Sequence, residues 1–119
     1  QARMASGFLA PGKGRGEVLT RAMEMAETLG GDTFVRQSRA LQRRRDQQAV
    51  LRKCKVPALV LCGEHDMLCP VKRHAFMAEM IPYAKLTVLE DAGHWPSLEA
   101  PEATTAALRD WLHQPLVLQ

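Results

Sequence analysis

The run Pro57-Ala58-Leu59-Val60-Leu61-Cys62, closed by Gly63, is apolar without interruption, and it sets the tightest limit on what this chain can become. A strand with one face in water alternates apolar and polar residues. A strand without alternation is covered on both faces, as in a parallel sheet flanked by helices. A second apolar stretch, Leu86-Thr87-Val88-Leu89, follows after a segment of helical character. That segment opens at Cys69 or Pro70, where proline suits the first turn, carries Val71, Ala75, Met77, Ala78 and Ile81, and stops at Pro82. Gly93 breaks the chain again. Pro101 and Glu102 open a last helix, with the acid at its positive end, and Leu108, Trp111 and Leu112 are its expected inner face. The order β-α-β-α is the unit of parallel α/β sheets, with a right-handed crossover. Two parallel strands are not stable alone. The expected fold is therefore α/β, with these strands at the edge of a larger parallel sheet. Leu116-Val117-Leu118 ends the chain as a short apolar tail.

The first half has a different rhythm. Residues 1–16 are glycine-rich and read as an irregular, flexible loop. Gly7 to Gly14 nearly fits the phosphate loop G-x-x-x-x-G-K-[ST], but Gly14 stands where the magnesium-binding hydroxyl belongs, and no apolar strand precedes it. Residues 17–29 place Val18, Leu19, Ala22, Met23, Met25, Ala26 and Leu29 at helical spacing, and Gly30-Gly31 supplies a stop. Asp32 is a candidate cap for a second helix to about Arg44, carrying Phe34, Val35 and Leu41. Asp46 is a candidate cap for a short third helix over 47–53. These helices have few residues with which to build a core of their own.

Charge divides the chain at the same place. Residues 1–55 hold 12 Lys/Arg against 5 Asp/Glu, a balance of +7, and residues 56–119 hold 4 against 8, a balance of −4. The basic cluster Arg36, Arg39, Arg43, Arg44 and Arg45 has no interleaved aromatics to stack on bases. It reads as a solvated helix face, and no nucleic-acid partner is expected. The longest apolar run is far short of the roughly 18–20 residues that span a bilayer, and the first residues lack the apolar core of a signal peptide. No membrane association is expected, and the expected location is cytoplasmic. The cysteines, Cys54, Cys62 and Cys69, form no C-x-x-C pair. A zinc set of Cys62, His65, Cys69 and His74 lacks the usual ligand spacing, so no metal is expected, and Cys62 reads as a buried small hydrophobe.

Functional groups of open parallel sheets sit just beyond the carboxyl ends of the strands. The first strand ends at Gly63-Glu64-His65-Asp66 and the second at Glu90-Asp91-Ala92-Gly93-His94. If the two strands lie side by side, Asp66 and His94 share one rim of the sheet. A carboxylate that accepts the Nδ1 proton of an imidazole fixes its tautomer and stabilises the imidazolium formed when Nε2 takes a proton. Histidine suits acid–base work because its unperturbed pKa is about 6.5. His65, His74 and His113 read as surface residues, and Asp91 as a turn former.

Two linked motifs carry a family resemblance. Gly63-Glu64-His65-Asp66 fits G-x-x-D, and Gly93-His94-Trp95-Pro96-Ser97-Leu98-Glu99-Ala100-Pro101-Glu102 fits G-H-x-P-x-x-E-x-P-E. With the strand before the first motif and the Ile81-Pro82-Tyr83-Ala84 corner between them, residues 56–112 closely resemble the C-terminal end of α/β-hydrolase-fold enzymes. The resemblance implies that Asp66 is the acid and His94 the base of a catalytic triad. It implies that residues 1–55 are the end of a cap or lid and residues 56–119 the C-terminal part of the hydrolase core. It implies no cofactor and a small-molecule substrate with an ester, thioester, lactone or related carbon–carbon bond. Trp95 is a candidate pocket residue beside His94, with core packing as the alternative reading. Pro96, Glu99, Pro101 and Glu102 read as structural residues that turn the chain and start the last helix. The family's nucleophile sits in a G-x-S-x-G elbow on an earlier strand, and Ser6, Ser38 and Ser97 all lack flanking glycines at those offsets. Acid and base without a nucleophile cannot perform acyl transfer. The chain is thus expected to supply two groups of a serine-type hydrolase and to be inactive alone. The alternative is a non-enzymatic member of the same fold that binds a small molecule or a protein.

Overall fold

A computed structural model describes residues 7–115. The candidate serine Ser6 and the apolar tail at 116–118 lie outside the described residues. Along the described residues run α1 (Arg15–Arg43), α2 (Gln48–Arg52), β1 (Ala58–Gly63), α3 (Val71–Met80), β2 (Ala84–Leu89), α4 (Pro96–Glu99) and α5 (Pro101–Leu112). The stop expected at Gly30-Gly31 is a break inside α1, where Gly30 takes φ 81° and ψ 167°. Helix α2 begins one residue later than expected, so Gln47 and not Asp46 takes its N-cap position, while the Asp46 carboxylate accepts the Gln48 N–H at 3.1 Å.

The apolar run becomes β1, and it pairs in parallel with β2 from Ala58 opposite Ala84 to Gly63 opposite Leu89. Helix α3 makes the crossover. Its opening residue Pro70 offers no N–H of its own, but its carbonyl accepts the Arg73 N–H at 2.9 Å. Both α3 and α5 pack on both strands. The core is small and centres on Val60, Cys62, Ile81, Leu89, Ala92 and Ala107, with Val18 and Ala22 of α1 buried as well. Burying a side chain such as Val60 contributes roughly 1.5–3 kcal/mol. The covering of β1 is uneven: Val60 and Cys62 are buried, whereas Leu59 and Leu61 are only half-buried, and Val88 of β2 is exposed. A two-stranded sheet has two free edges, so this pattern is that of a sheet rim.

Two expectations are corrected. The inner face of α5 is formed by Thr104, Ala107 and Trp111, while Leu108 and Leu112 are exposed. The helix lies close to a narrow sheet, so small residues face it, and the leucines on the flank overhang its edge. Trp111 reaches back to donate its Nε1–H to the Pro57 carbonyl at 3.0 Å, tying α5 to the start of β1. The glycine-rich beginning is not a loose loop throughout. Leu9 and Ala10 are buried, and Phe8 to Ala10 lies against the loop after β2. The reason is backbone proximity: a β-carbon on Gly93 would overlap the Phe8 carbonyl, so only glycine admits the segment.

Gly63 is tight for the same reason. A β-carbon there would run into the carbonyls of Ala92 and Gly93. Because those atoms are backbone, Gly63→Ala must displace the loop that carries His94. The expected loss is about 1–3 kcal/mol or more in urea unfolding; unchanged stability would show that the two loops do not meet.

Candidate active site

The two strand ends are stitched together before any side chain is considered. The Glu64 N–H donates to the Leu89 carbonyl at 2.9 Å, and the His65 N–H to the Ala92 carbonyl at 3.0 Å. On this platform Asp66 is 6% exposed, an uncommon position for a carboxylate without partners. Its Oδ1 accepts the N–H groups of Leu68 at 3.0 Å and Cys69 at 2.9 Å, which folds the following turn around it. Its Oδ2 lies 3.1 Å from Nδ1 of His94, and Oδ1 lies 3.3 Å from the same nitrogen, across 28 residues of sequence. An ionised carboxylate can only accept, so Nδ1 carries the proton and Nε2 keeps its lone pair. Burial, and then the negative charge of Asp66, push the thiol of nearby Cys62 above its usual pKa. Cys62 is therefore a packed hydrophobe rather than a nucleophile.

His94 is held from the other side by Phe8, far away in sequence, and by Trp95 and Glu99 of its own motif. Its N–H donates to the Phe8 carbonyl at 2.7 Å. The Phe8 ring stands 5.9 Å from the imidazole and the Trp95 ring 5.7 Å, both tilted to it. Trp95 is half-buried at the edge of the imidazole, beside the pair. The turn that carries His94 closes on Glu99. Oε2 of Glu99 accepts the N–H of Gly93 at 2.9 Å and of Trp95 at 3.0 Å, and Oε1 accepts the N–H of Ala10 at 2.7 Å. One carboxylate thus brackets the histidine and anchors the segment that covers it.

The structure therefore brings together Asp66, His94 and Trp95. It adds Phe8, which sequence reasoning missed. Glu99 reads in sequence as a structural residue that turns the chain and starts the last helix. Its actual partners are amides, one of them 89 residues away. Cys69 is also drawn in. One ligand-type atom each from Asp66, Cys69 and His94 lie within 4.8 Å of one another. Among the described residues the sequence-derived foursome of Cys62, His65, Cys69 and His74 does not converge; Cys69 groups with Asp66 and His94 instead.

A family model described as "Alpha/beta hydrolase family" matches residues 2–108. The chain belongs to this family. The AB hydrolase superfamily protein YclE of Bacillus subtilis is 32% identical over 93 residues, which is 77% of this chain and 30% of that protein. Bifunctional epoxide hydrolase 2 of Rattus norvegicus is 35% identical over 65 residues, 55% of this chain and 12% of that protein. Among solved structures, an esterase from Exiguobacterium antarcticum superposes with a TM-score of 0.75 at 25% identity, covering 94% of this chain and 41% of its own. The chain spans about a third or less of the length of the curated relatives it matches. The α/β-hydrolase fold seen here is accordingly a partial one. No described helix is long and apolar enough to cross a membrane.

Removing the Glu99 carboxylate leaves three backbone donors without an acceptor. Glu99→Ala is expected to destabilise the protein by about 1–3 kcal/mol and to speed amide exchange at Gly93 and Trp95 ahead of the strand amides. Wild-type exchange at those two amides would show that the bracket holds nothing in place.

Proposed function

We propose that this chain is the acid- and base-bearing part of a serine-type α/β-fold hydrolase that acts on an ester, lactone or related acyl or carbon–carbon bond in a small molecule. The reading rests chiefly on one observation: the 3.1 Å contact between Oδ2 of Asp66 and Nδ1 of His94 at the ends of neighbouring parallel strands. Family membership, and the esterase and epoxide hydrolase names among its relatives, support the hydrolase class.

In this mechanism His94 Nε2 removes the proton from a nucleophile supplied by sequence outside this chain. The nucleophile attacks the substrate carbonyl, and the positive charge on the imidazole is stabilised by Asp66. His94 then returns the proton to the leaving group, and water, activated in the same way, releases the acyl product. Two backbone N–H groups and the imidazole all donate to the Asp66 carboxylate, which fixes its orientation toward His94. Phe8 and Trp95 flank the imidazole, and Trp95 contributes to the wall of the substrate pocket. The helices of residues 1–55 form the end of a cap above the site. Without the nucleophile and the oxyanion donors the 119 residues are inactive alone.

In the complete hydrolase, Asp66→Asn should keep the fold and lower turnover by on the order of 10³–10⁴. Activity within about tenfold of wild type removes Asp66 from the mechanism. His94→Ala should abolish covalent labelling by a fluorophosphonate; undiminished labelling means that another base activates the nucleophile.

A further inference from the structure

Cys69 has no place in the proposed hydrolysis, yet the fold aims it at the acid–base pair. The Asp66 carboxylate accepts the Cys69 N–H at 2.9 Å, so the turn curls Cys69 back over the acid that precedes it. A sulfur, a carboxylate oxygen and an imidazole nitrogen then lie within 4.8 Å of one another. Cys69 and His94 are half-buried, whereas Asp66 is buried. Oδ1 of Asp66 accepts two backbone N–H groups and also faces the imidazole, whereas among the described residues Oδ2 is bonded to the imidazole alone.

We propose that Asp66, Cys69 and His94 form a binding site for a thiophilic divalent cation of the zinc type. The donor set of one thiolate, one imidazole and one carboxylate matches the ligands that zinc takes in tetrahedral sites, with a fourth position left for water. Zinc binds sulfur at about 2.3 Å and nitrogen or oxygen at about 2.0–2.2 Å, which sets tetrahedral ligand atoms about 3.3–3.6 Å apart. From separations of up to 4.8 Å, closure takes a shift of about 1.2–1.5 Å, within the reach of side-chain rotation. On binding, the Sγ–H bond breaks, its proton passes to solvent and the Sγ–Zn bond forms. The imidazole binds through a ring lone pair, giving up a proton if that nitrogen carries one, and no atom changes oxidation state. Cys62 cannot take the place of Cys69, because it is 2% exposed. A cation held here occupies the imidazole and its carboxylate at once, so it switches the acid–base pair off. That consequence rests on the hydrolase reading; the binding itself does not.

The test is a zinc titration of the full-length protein by calorimetry, with a cadmium titration followed by the ultraviolet sulfur-to-cadmium charge-transfer band. One equivalent of zinc is expected. Cys69→Ala and Cys69→Ser should each weaken zinc binding by more than about tenfold and erase the cadmium band, while Cys54→Ala leaves both unchanged. Zinc affinity that survives both Cys69 substitutions, or a cadmium band lost only with Cys54, overturns the site. Because binding is read without turnover, its failure leaves the acid–base reading standing. A full-length protein that binds zinc in this way yet hydrolyses nothing when metal-free overturns that reading and not the site.

Discussion

Parallel pairing makes the carboxyl ends of β1 and β2 coincide, and every other feature of the candidate site depends on that coincidence. With Gly63 opposite Leu89, the loops that follow must leave the sheet side by side. An antiparallel pairing would send one loop to the opposite rim and part Asp66 from His94 by the length of a strand. The absence of a side chain at Gly63 then lets the two loops approach until their backbones touch. Proximity of acid and imidazole is thus a property of the backbone first and of the side chains second.

Holding the imidazole at a fixed angle is a separate task, and it falls to groups with no acid–base chemistry of their own. Glu99 gathers three N–H groups, Phe8 supplies a carbonyl, and two aromatic rings limit the tilt of His94. A hydrogen bond of 3.1 Å between side chains on two loops tolerates little drift. Amides bound to a carboxylate form short, charge-assisted contacts, which suits them to bracing a turn.

The parts of the structure legible in sequence are those with local signals. The unbroken apolar run gave away a strand of a parallel sheet, proline and glycine marked the element ends, and two short motifs pointed to Asp66 and His94. What escaped were contacts whose partners are remote. Nothing near Phe8 distinguishes it from the glycine-rich stretch around it, because its role comes from meeting Gly93 and His94. Glu99 stands in the motif as a residue that turns the chain, but nothing local shows that it also holds the N–H of Ala10, 89 residues away. Leu108 and Leu112 fit an apolar stripe, but α5 presents its smaller residues to a sheet too narrow to cover them. Cys69 stood among candidate zinc ligands in sequence, though with the wrong companions, since spacing along the chain says little about neighbours across a loop.

The bond between Ala10 and Glu99 has a consequence for how this chain can vary. It joins the segment before α1 to the turn beyond β2, while β1 fixes the segment after α2. The helices in between therefore form an excursion that leaves the body of the molecule at one secured point and re-enters at another. Lengthening such an excursion is thermodynamically mild, since doubling a flexible connection adds only about 0.6 kcal/mol of closure entropy. Insertions, deletions and whole exchanges of helices can accumulate there while the geometry of the rim stays constant.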